Sequence, residues 1–352
     1  MSAVVVAACL LPLGACGSSG AGSTVGTNLH SLQMTGARQG LAVWPSGVRW
    51  VLLSTADGWR TVKNATPVAV PTDGGLVLAA GPDRAAVGVL PYQALTVSPV
   101  LSSAGGSRTW TPTQLPSALA PSPTALALTP GGAWAVLADG SVMTQSLGST
   151  QWTTAATAAS LDPTGGLSIT GVGFPDGRTG FLAGSRSGAG PVLLTTTDGG
   201  KHWVDTGIAA GASASSYLPC RLGATWVAPV LSDGRLSVRT SSSPTGPWSG
   251  GPALDGVTAP LVSCGPTMLW VGVPHGGSES LHGFTVLGAW TSLGSVSRSL
   301  VSLGAASDTV AYAAAEDDAS VVLELTTGAT LGVTEVHLPD WVASIGGAPM
   351  RN

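Results

Sequence analysis

At 352 residues the chain is long enough for one large domain or two smaller ones, and 44% hydrophobic residues are enough to form a core. Charged residues make up only 9% and the net charge is −4, which excludes the basic patch or stripe of a general nucleic-acid-binding protein. Together, 50 glycines, 25 prolines and a high apolar content predict many short strands joined by many turns rather than disorder.

The first predicted element is a targeting segment at residues 1–15. Its apolar run, "AVVVAACLLPL", has the length of a signal-peptide core and is too short to span a membrane as a helix. Leu13-Gly14-Ala15-Cys16 resembles the lipobox of bacterial lipoproteins, although the usual basic residues are missing before the apolar run. The resemblance implies cleavage before Cys16 and a lipid on its sulfur, with an ordinary secretory signal as the alternative. Residues 16–31 are rich in Gly and Ser and are predicted to form a flexible tether.

Aromatic residues recur along the rest of the chain. One series has gaps of about 45 residues and consists of Trp59, Trp110, Trp152, Trp203, Trp248 and Trp290. A second series runs beside it, with Val87 at its second position: Trp50, Trp134, Phe181, Trp226, Trp270 and Tyr312. Each unit contains apolar strand-like runs separated by turn residues, and Asp-Gly turns indicate further hairpins.

This repeat predicts an all-β fold. We expect a seven-bladed β-propeller of four-stranded antiparallel sheets over residues 32–345, with a tail at 346–352. Trp50 and Trp59 are only nine residues apart, and the last unit has no outer tryptophan, so six or eight blades remain possible.

The segment "TTTDGGKHW" contains the spacing S/T-x-D-x-G-x-x-W, formed by Thr196, Asp198, Gly200 and Trp203. This spacing resembles the Asp-box, or BNR repeat, of sialidase-like propellers. The longer run from "GFPDGRTGFLAG" to "GGKHW" is similar to blades of photosystem II assembly factors and related lipoproteins. In those families the turn lies at the periphery of the propeller, so the resemblance implies a structural role for these four residues. A short Asp side chain can accept hydrogen bonds from backbone N–H groups, and Gly adopts a positive φ without strain.

Catalytic residues are harder to identify, and we assign none. The arginine triad and the paired tyrosine and glutamate of sialidases have no clear counterpart, and no G-x-S-x-G motif occurs. The five histidines are scattered, and Glu316-Asp317-Asp318 lacks the alternating spacing of a calcium loop, so we expect neither a metal nor a cofactor.

The remaining cysteines, Cys220 and Cys264, are 44 residues apart, which is one repeat. Equivalent positions on adjacent blades make a disulfide the preferred hypothesis in an oxidising compartment, and two buried thiols the alternative.

A binding surface is expected where the loops between the second and third strands meet the connections between blades. The candidates on this face are Tyr92, Arg186, Arg235, His275, Glu279, Glu316 and Asp317. Mixed charge with few aromatic residues fits a polar ligand or a protein partner.

We therefore expect a monomeric, extracytoplasmic propeller, anchored to the bacterial cell membrane by lipid on Cys16. Its predicted role is non-catalytic binding of an envelope protein or a cell-wall polysaccharide, as a scaffold or assembly factor. The alternative is a carbohydrate-active propeller, either lectin-like or a sialidase-type glycoside hydrolase.

Overall fold

A computed structural model shows an all-β chain. It describes residues 31–46, 49–62, 64–71, 76–80, 84–89, 100–104, 111–113, 123–129, 131–208 and 214–343. The predicted signal peptide, Cys16, the tether as far as residue 30, Tyr92 and the tail at 346–352 lie outside these residues. No helix in the described ranges is long and apolar enough to span a membrane.

The strands group into sheets in chain order, and neighbours within each sheet are antiparallel. Sheet 1 contains β1 (Ser31–Met34), β2 (Gly40–Ser46), β3 (Arg49–Thr55) and β4 (Asn64–Pro71). Sheet 2 contains β5 (Leu76–Ala80), β6 (Arg84–Val89), β7 (Val100–Ala104) and β8 (Thr111–Thr113). Sheet 3 contains β9 (Pro123–Thr129), β10 (Gly132–Leu137), β11 (Val142–Ser146) and β12 (Thr153–Ala156). The helix α1 (Ala158–Leu161) leads to sheet 4, with β13 (Leu167–Gly173), β14 (Gly180–Arg186), β15 (Gly190–Thr196) and β16 (Val204–Asp205).

The remaining strands continue the same order. Sheet 5 contains β17 (Ser215–Ser216), β18 (Cys220–Leu222), β19 (Thr225–Ser232), β20 (Arg235–Ser241) and β21 (Ser249–Asp255). Sheet 6 contains β22 (Leu261–Cys264), β23 (Met268–His275), β24 (Ser278–Thr285) and β25 (Trp290–Val296). Sheet 7 contains β26 (Leu300–Ala305), β27 (Val310–Ala315), β28 (Val321–Thr326) and β29 (Gly332–His337), and a 3₁₀ helix follows at Asp340–Ala343.

The expectation of a seven-bladed propeller of four-stranded sheets is wrong. Six sheets are four-stranded, whereas sheet 5 has five strands because β17 and β18 both pair with β19. The residues between them, Tyr217–Pro219, interrupt what is one continuous first strand elsewhere, and the Tyr217 N–H donates to the Pro229 carbonyl across the break. The propeller thus consists of six regular four-stranded blades and one irregular five-stranded sheet.

The assignment of the aromatic repeat was also wrong in sheet 1. Trp134, Phe181, Trp270 and Tyr312 lie in the second strand of their sheets, and Trp226 lies in β19, which is the second strand if the interrupted β17 and β18 are counted as one. Trp50 lies in β3, the third strand of sheet 1, whose second strand is β2. Trp50 and Trp59 are therefore close in sequence because they lie on one strand and in the turn that follows it.

The hydrophobic core lies between neighbouring sheets. Between sheets 3 and 4, Trp134 stacks on Phe174 with ring centroids 4.3 Å apart, and Trp203 meets Trp134 edge-on at 6.5 Å. Similar buried clusters join sheets 5 and 6, and sheets 6 and 7. Each sheet therefore buries its faces against its neighbours, which explains why the apolar content is high and the charged content low.

The ring closes by side-chain packing between the two ends of the chain. Sheets 1 and 7 each consist of consecutive strands, so neither takes a strand from the other terminus. Leu32 and Met34 of β1 pack in one buried cluster with Val301 of β26, and the cluster also includes Leu338 and Val342. In addition, the Ser46 hydroxyl donates to the Val342 carbonyl, which fixes the 3₁₀ helix on β2.

Sheets 5 and 6 are joined covalently. Cys220 of β18 and Cys264 of β22 form a disulfide with their Cα atoms 6.3 Å apart, within the usual range for such a bond. These are the two cysteines that the repeat spacing had placed on adjacent blades.

Candidate functional site

The candidate surface is the end of the propeller that carries the loops between the second and third strands of each sheet. We call it the loop face. Because successive turns of an antiparallel sheet alternate between its two ends, the connections between sheets lie on this face too, and β1 begins here. The structure places Arg186, Arg235, His275, Glu316 and Asp317 at or beside these loops. All five are at least partly exposed.

Both arginines among the predicted residues form ion pairs. Arg186 contacts Asp162 through Nε at 3.2 Å and Asp205 through Nη1 at 3.5 Å. Arg235 contacts Asp255, with Nε 2.6 Å from Oδ1. Asp162 is itself buried, and a hydrogen bond from the Thr164 hydroxyl, with Arg186 adding to it, lowers the pKa of its carboxyl. Arg186 therefore links the segment before β13 to the outer strand β16 of sheet 4. These two ion pairs were not predicted from the sequence.

A group of acidic residues lies on the loop face of sheet 7. We call Glu316, Asp317, Asp318 and Glu335 the acidic patch. Arg298 approaches Asp317 at 3.6 Å, Asp318 at 3.5 Å and Glu335 at 3.0 Å. Three of these carboxylates contact the Arg298 guanidinium, and Glu316 precedes Asp317 in the same loop, so the four acidic residues and Arg298 together have a formal charge of −3 (−4 + 1). The Ser320 hydroxyl and backbone N–H lower the pKa of Asp318, so this carboxylate stays ionised in mildly acidic solution.

An exposed aromatic residue lies near the acidic patch. Trp341 of the 3₁₀ helix is 42% exposed. The helix and the β27–β28 loop both contact β2, since Ser46 bonds Val342 and the Trp44 indole donates to the Ala319 carbonyl at 2.5 Å. Trp341 and the β27–β28 loop therefore both lie near the loop-face end of β2, where sheet 7 meets sheet 1. Glu316 and Asp317 were predicted from the sequence, whereas Arg298, Glu335 and Trp341 were not, because they come from three other segments of the chain.

Glu279 does not belong to the exposed surface on which it had been predicted. It is the second residue of β24 and is only 1% exposed. Neither carboxyl oxygen has a hydrogen-bond partner of normal geometry. Burial raises the pKa of Glu279 to about 7, and the nearby Leu300 backbone N–H opposes this only in part. A buried carboxyl without a partner is costly, so this residue needs an explanation.

The turn of Thr196, Asp198 and Gly200 lies at the opposite end of the propeller. The Thr196 hydroxyl donates to Asp198 Oδ1 at 2.8 Å and accepts the Gly200 N–H at 2.9 Å. Asp198 Oδ1 also accepts the backbone N–H groups of Lys201 and His202, each at 3.0 Å. These bonds, together with the His202 ring, hold the pKa of Asp198 far below its usual range. The Trp203 ring packs on Trp134 and Phe174, so all four residues act in the architecture of sheet 4.

Sheet 1 contains a second turn of the same kind. The Thr55 hydroxyl donates to Asp57 Oδ1 at 3.0 Å and accepts the Trp59 N–H at 2.8 Å, and Asp57 Oδ1 accepts the Thr61 N–H at 2.9 Å. The signal in the sequence is Thr55-x-Asp57-Gly58, which was overlooked because a tryptophan follows where glycine was expected.

In the described ranges, the groups considered for catalysis or metal binding are carboxylates, histidines and Tyr312. No group of three His, Cys, Asp or Glu residues there could hold a metal ion. Tyr312 is buried, and its burial raises the pKa of its hydroxyl. His275 and His282 are near enough for His275 to lower the pKa of His282, but burial is the larger cause.

Comparison with known proteins identifies the fold and no family. No protein-family profile and no curated protein sequence matches the chain. A structure of YCF48 bound to a D1 peptide aligns at 16% identity with a TM-score of 0.56, over 86% of this chain and 94% of that one. YCF48 from Cyanidioschyzon merolae aligns at 16% identity with a TM-score of 0.55, over 83% and 94%. A GH74 xyloglucanase from Xanthomonas campestris aligns at 13% identity with a TM-score of 0.60, over 96% of this chain and 55% of its own. The chain is thus a β-propeller that resembles the photosystem II assembly factor YCF48 in fold.

Proposed function

We propose that this protein is a non-catalytic, protein-binding propeller that holds a segment of an envelope protein on its loop face. The observation that carries the proposal is the acidic patch beside the exposed Trp341, a combination of −3 formal charge and accessible indole. A basic peptide segment with an apolar side chain complements this surface in charge and in packing. The similarity in fold to YCF48, whose structure includes a bound D1 peptide, supports a peptide as the class of ligand.

We place this activity at the outer surface of the bacterial membrane. Lipid on Cys16 would anchor the chain, and residues 16–30 would connect the anchor to β1, which begins on the loop face. A partner held there would lie near the membrane. The similar hydrogen-bonding turns in sheets 1 and 4 also favour the assignment of this chain to the Asp-box type of propeller.

Peptide binding is tested by a charge reversal with a matched control. Glu316 is exposed and has no ion pair in the described structure, so Glu316→Lys changes the patch without breaking a contact. Asp139 lies in the corresponding turn of sheet 3, so Asp139→Lys makes the same charge change on the same face at a distance. Calorimetry with a Lys- and Leu-rich decapeptide should show weaker binding for Glu316→Lys and unchanged binding for Asp139→Lys. Equal affinity in all three proteins would contradict the proposed site.

The membrane location and the carbohydrate alternative need their own measurements. Cys16→Ala should move the protein from the detergent phase to the aqueous phase in a phase-partition assay and should abolish labelling by a radioactive fatty acid. A glycan array and a fluorogenic sialoside should give no signal. Hydrolysis of the sialoside by the purified protein would favour the glycosidase alternative over the binding role.

A further inference from the structure

Glu279 lies at the contact between sheets 6 and 7. In a strand, alternate side chains point to the same side of the sheet, so Glu279 points to the same side as Leu281. Leu281 is buried in the cluster that joins sheet 6 to sheet 7, together with Leu300 and Leu303 of β26. Gly272 of β23 leaves room for the carboxyl, because a Cβ at that position would lie 2.7 Å from Glu279 Oε1. The carboxyl therefore occupies the space between the two sheets that the missing side chain of Gly272 leaves.

No charged group stabilises this carboxyl from any of the elements packed around it. The strands β25, β26 and β27 contain no charged residue, and β23 contains only His275 at its end. On β24 itself, His282 lies on the other side of the sheet, three residues away. In the loops nearby, Arg298 pairs with the acidic patch, and in β28 Glu324 contacts Arg60 at 3.7 Å. Burial therefore raises the pKa of Glu279, and the Leu300 N–H lowers it only in part.

The same contact is firmly held at the opposite end of the propeller. Asp308 accepts the backbone N–H groups of Thr267 at 2.8 Å and Met268 at 2.9 Å. The Trp270 indole donates to the Ser307 carbonyl at 3.1 Å, and the Ala305 N–H donates to the Ser263 hydroxyl at 2.8 Å. Sheet 6 is also fixed to sheet 5 by the disulfide. Among the described residues, the loop-face end of this contact has only the approach of the Leu300 N–H to the Glu279 carboxyl, which does not reach normal hydrogen-bond geometry.

We propose that Glu279 is a proton-controlled latch: its neutral form keeps sheets 6 and 7 packed together at the loop face, and its ionised form opens them there. A neutral carboxyl fits the apolar space beside Leu300, whereas a carboxylate must recruit water, because it lacks a compensating charge. The hydrogen bonds at the opposite end restrict the opening to the loop face. Proton concentration thereby controls the spacing between the β23–β24 hairpin and the acidic patch.

Hydrogen exchange of the intact protein tests the latch. Amide protection over 300–305 and 278–285 is measured by mass spectrometry at pH 5.5 and pH 8.5, after correction for the intrinsic pH dependence of exchange. Each pKa unit corresponds to a tenfold change in the opening equilibrium, and the pKa of Glu279 rises from 4.5 to about 7. The part of this shift above pH 5.5 is about 1.5 units, which allows a loss of protection of up to about 30-fold between pH 5.5 and pH 8.5. We expect a loss of at least tenfold there and an unchanged value over 132–137 in sheet 3.

Two variants complete the test. Glu279→Gln keeps the shape of the side chain and cannot ionise, so its protection should be independent of pH. Asp139→Asn, which removes an exposed carboxyl in the β10–β11 turn of sheet 3, should behave as the wild type. Wild-type protection that does not change with pH overturns the proposal, and so does an equal pH dependence in Glu279→Gln. A uniform loss over all three segments also overturns it, because Glu279 would then affect only global stability. Should Glu279→Gln fail to fold, Glu279→Met provides the same non-ionising readout.

Discussion

Trp59 and Gly200 occupy the same position in two equivalent turns, one in sheet 1 and one in sheet 4. The backbone N–H of each donates to the hydroxyl of the threonine four residues earlier, at 2.8 Å for Trp59 and 2.9 Å for Gly200. Both have a positive φ, 66° and 81°. A glycine adopts this conformation freely, whereas a bulky residue is strained by about 1–3 kcal/mol.

The strain at Trp59 is offset by burial of its indole. The side chain is fully buried in the cluster between sheets 7 and 1, near Met34 and Tyr312. In sheet 4 the equivalent space is filled from the neighbouring sheet by Trp134, whose ring lies 2.3 Å from where a Cβ on Gly200 would be. An indole is thus buried beside both turns. In sheet 1 it belongs to Trp59 of the turn itself, and in sheet 4 it belongs to Trp134 of the neighbouring sheet.

We expect Trp59→Gly to destabilise the protein although it removes the backbone strain. Loss of a buried tryptophan costs about 3–5 kcal/mol, and relief of the strain recovers about 1–3 kcal/mol. The free energy of unfolding in urea should therefore fall by about 2 kcal/mol.

Gly200→Ala is the matched change in sheet 4 and should also destabilise, since its Cβ would overlap the Trp134 ring at a φ of 81°. If Trp59→Gly instead stabilised the protein, the indole would not be a net contributor to ring closure.

These turns also show what the sequence could reveal. The aromatic spacing predicted the propeller because one such residue recurs in each of five sheets and packs between sheets. Four of the five face the following sheet, whereas Trp226 faces the preceding sheet 4. The spacing misled in sheet 1, because a tryptophan at the glycine position broke the spacing without changing the turn. The break at Tyr217–Pro219 was invisible, since its apolar and polar residues read as one strand.

The candidate site was predictable only in part. The loops on which His275, Glu316 and Asp317 lie follow from strand order. Glu279 was placed among them because it closely follows the Gly276-Gly277 turn, yet the alternation of β24 turns its side chain between the sheets. Arg298 and Trp341 join the surface only through contacts between distant segments, which a single sequence does not show.

Closure of the ring should depend on the segment after the last strand. Leu338 is buried between sheets 7 and 1, and its N–H donates to the Ser320 carbonyl at 2.8 Å. Leu338→Ala should lower the free energy of unfolding by about 2–4 kcal/mol through the cavity that it leaves. Val333→Ala, an exposed apolar change in β29, is the control and should alter it by less than about 0.5 kcal/mol. Equal effects of the two changes in urea titrations would show that the segment does not hold the ring closed.

The disulfide between Cys220 and Cys264 should stabilise the protein mainly by restricting the unfolded chain. It closes a loop of 44 residues, for which removal typically costs about 2–4 kcal/mol. We expect this loss in the double variant Cys220→Ser/Cys264→Ser, measured by urea unfolding without reductant. With reductant present, the wild type should approach the double variant, and a wild type insensitive to reductant would mean that the bond contributes nothing.

The stability of the protein should fall as the pH rises through the titration of Glu279. Its pKa is about 7 in the folded state and 4.5 without burial, so the unfolded chain releases this proton first. The neutral carboxyl adds about 3 kcal/mol at most to the free energy of unfolding. This stabilisation is complete below about pH 4.5 and is lost as the pH rises from 4.5 to about 7.

Glu279→Gln does not titrate, so its free energy of unfolding should exceed that of the wild type by an amount that grows by up to about 3 kcal/mol from pH 4 to pH 8. Chemical unfolding of both proteins at four pH values measures this difference, with Glu316→Gln as the exposed control. A difference between wild type and Glu279→Gln that stays constant over this range would mean that Glu279 titrates normally in the folded protein, in which case the carboxyl must be solvated and not enclosed between the sheets.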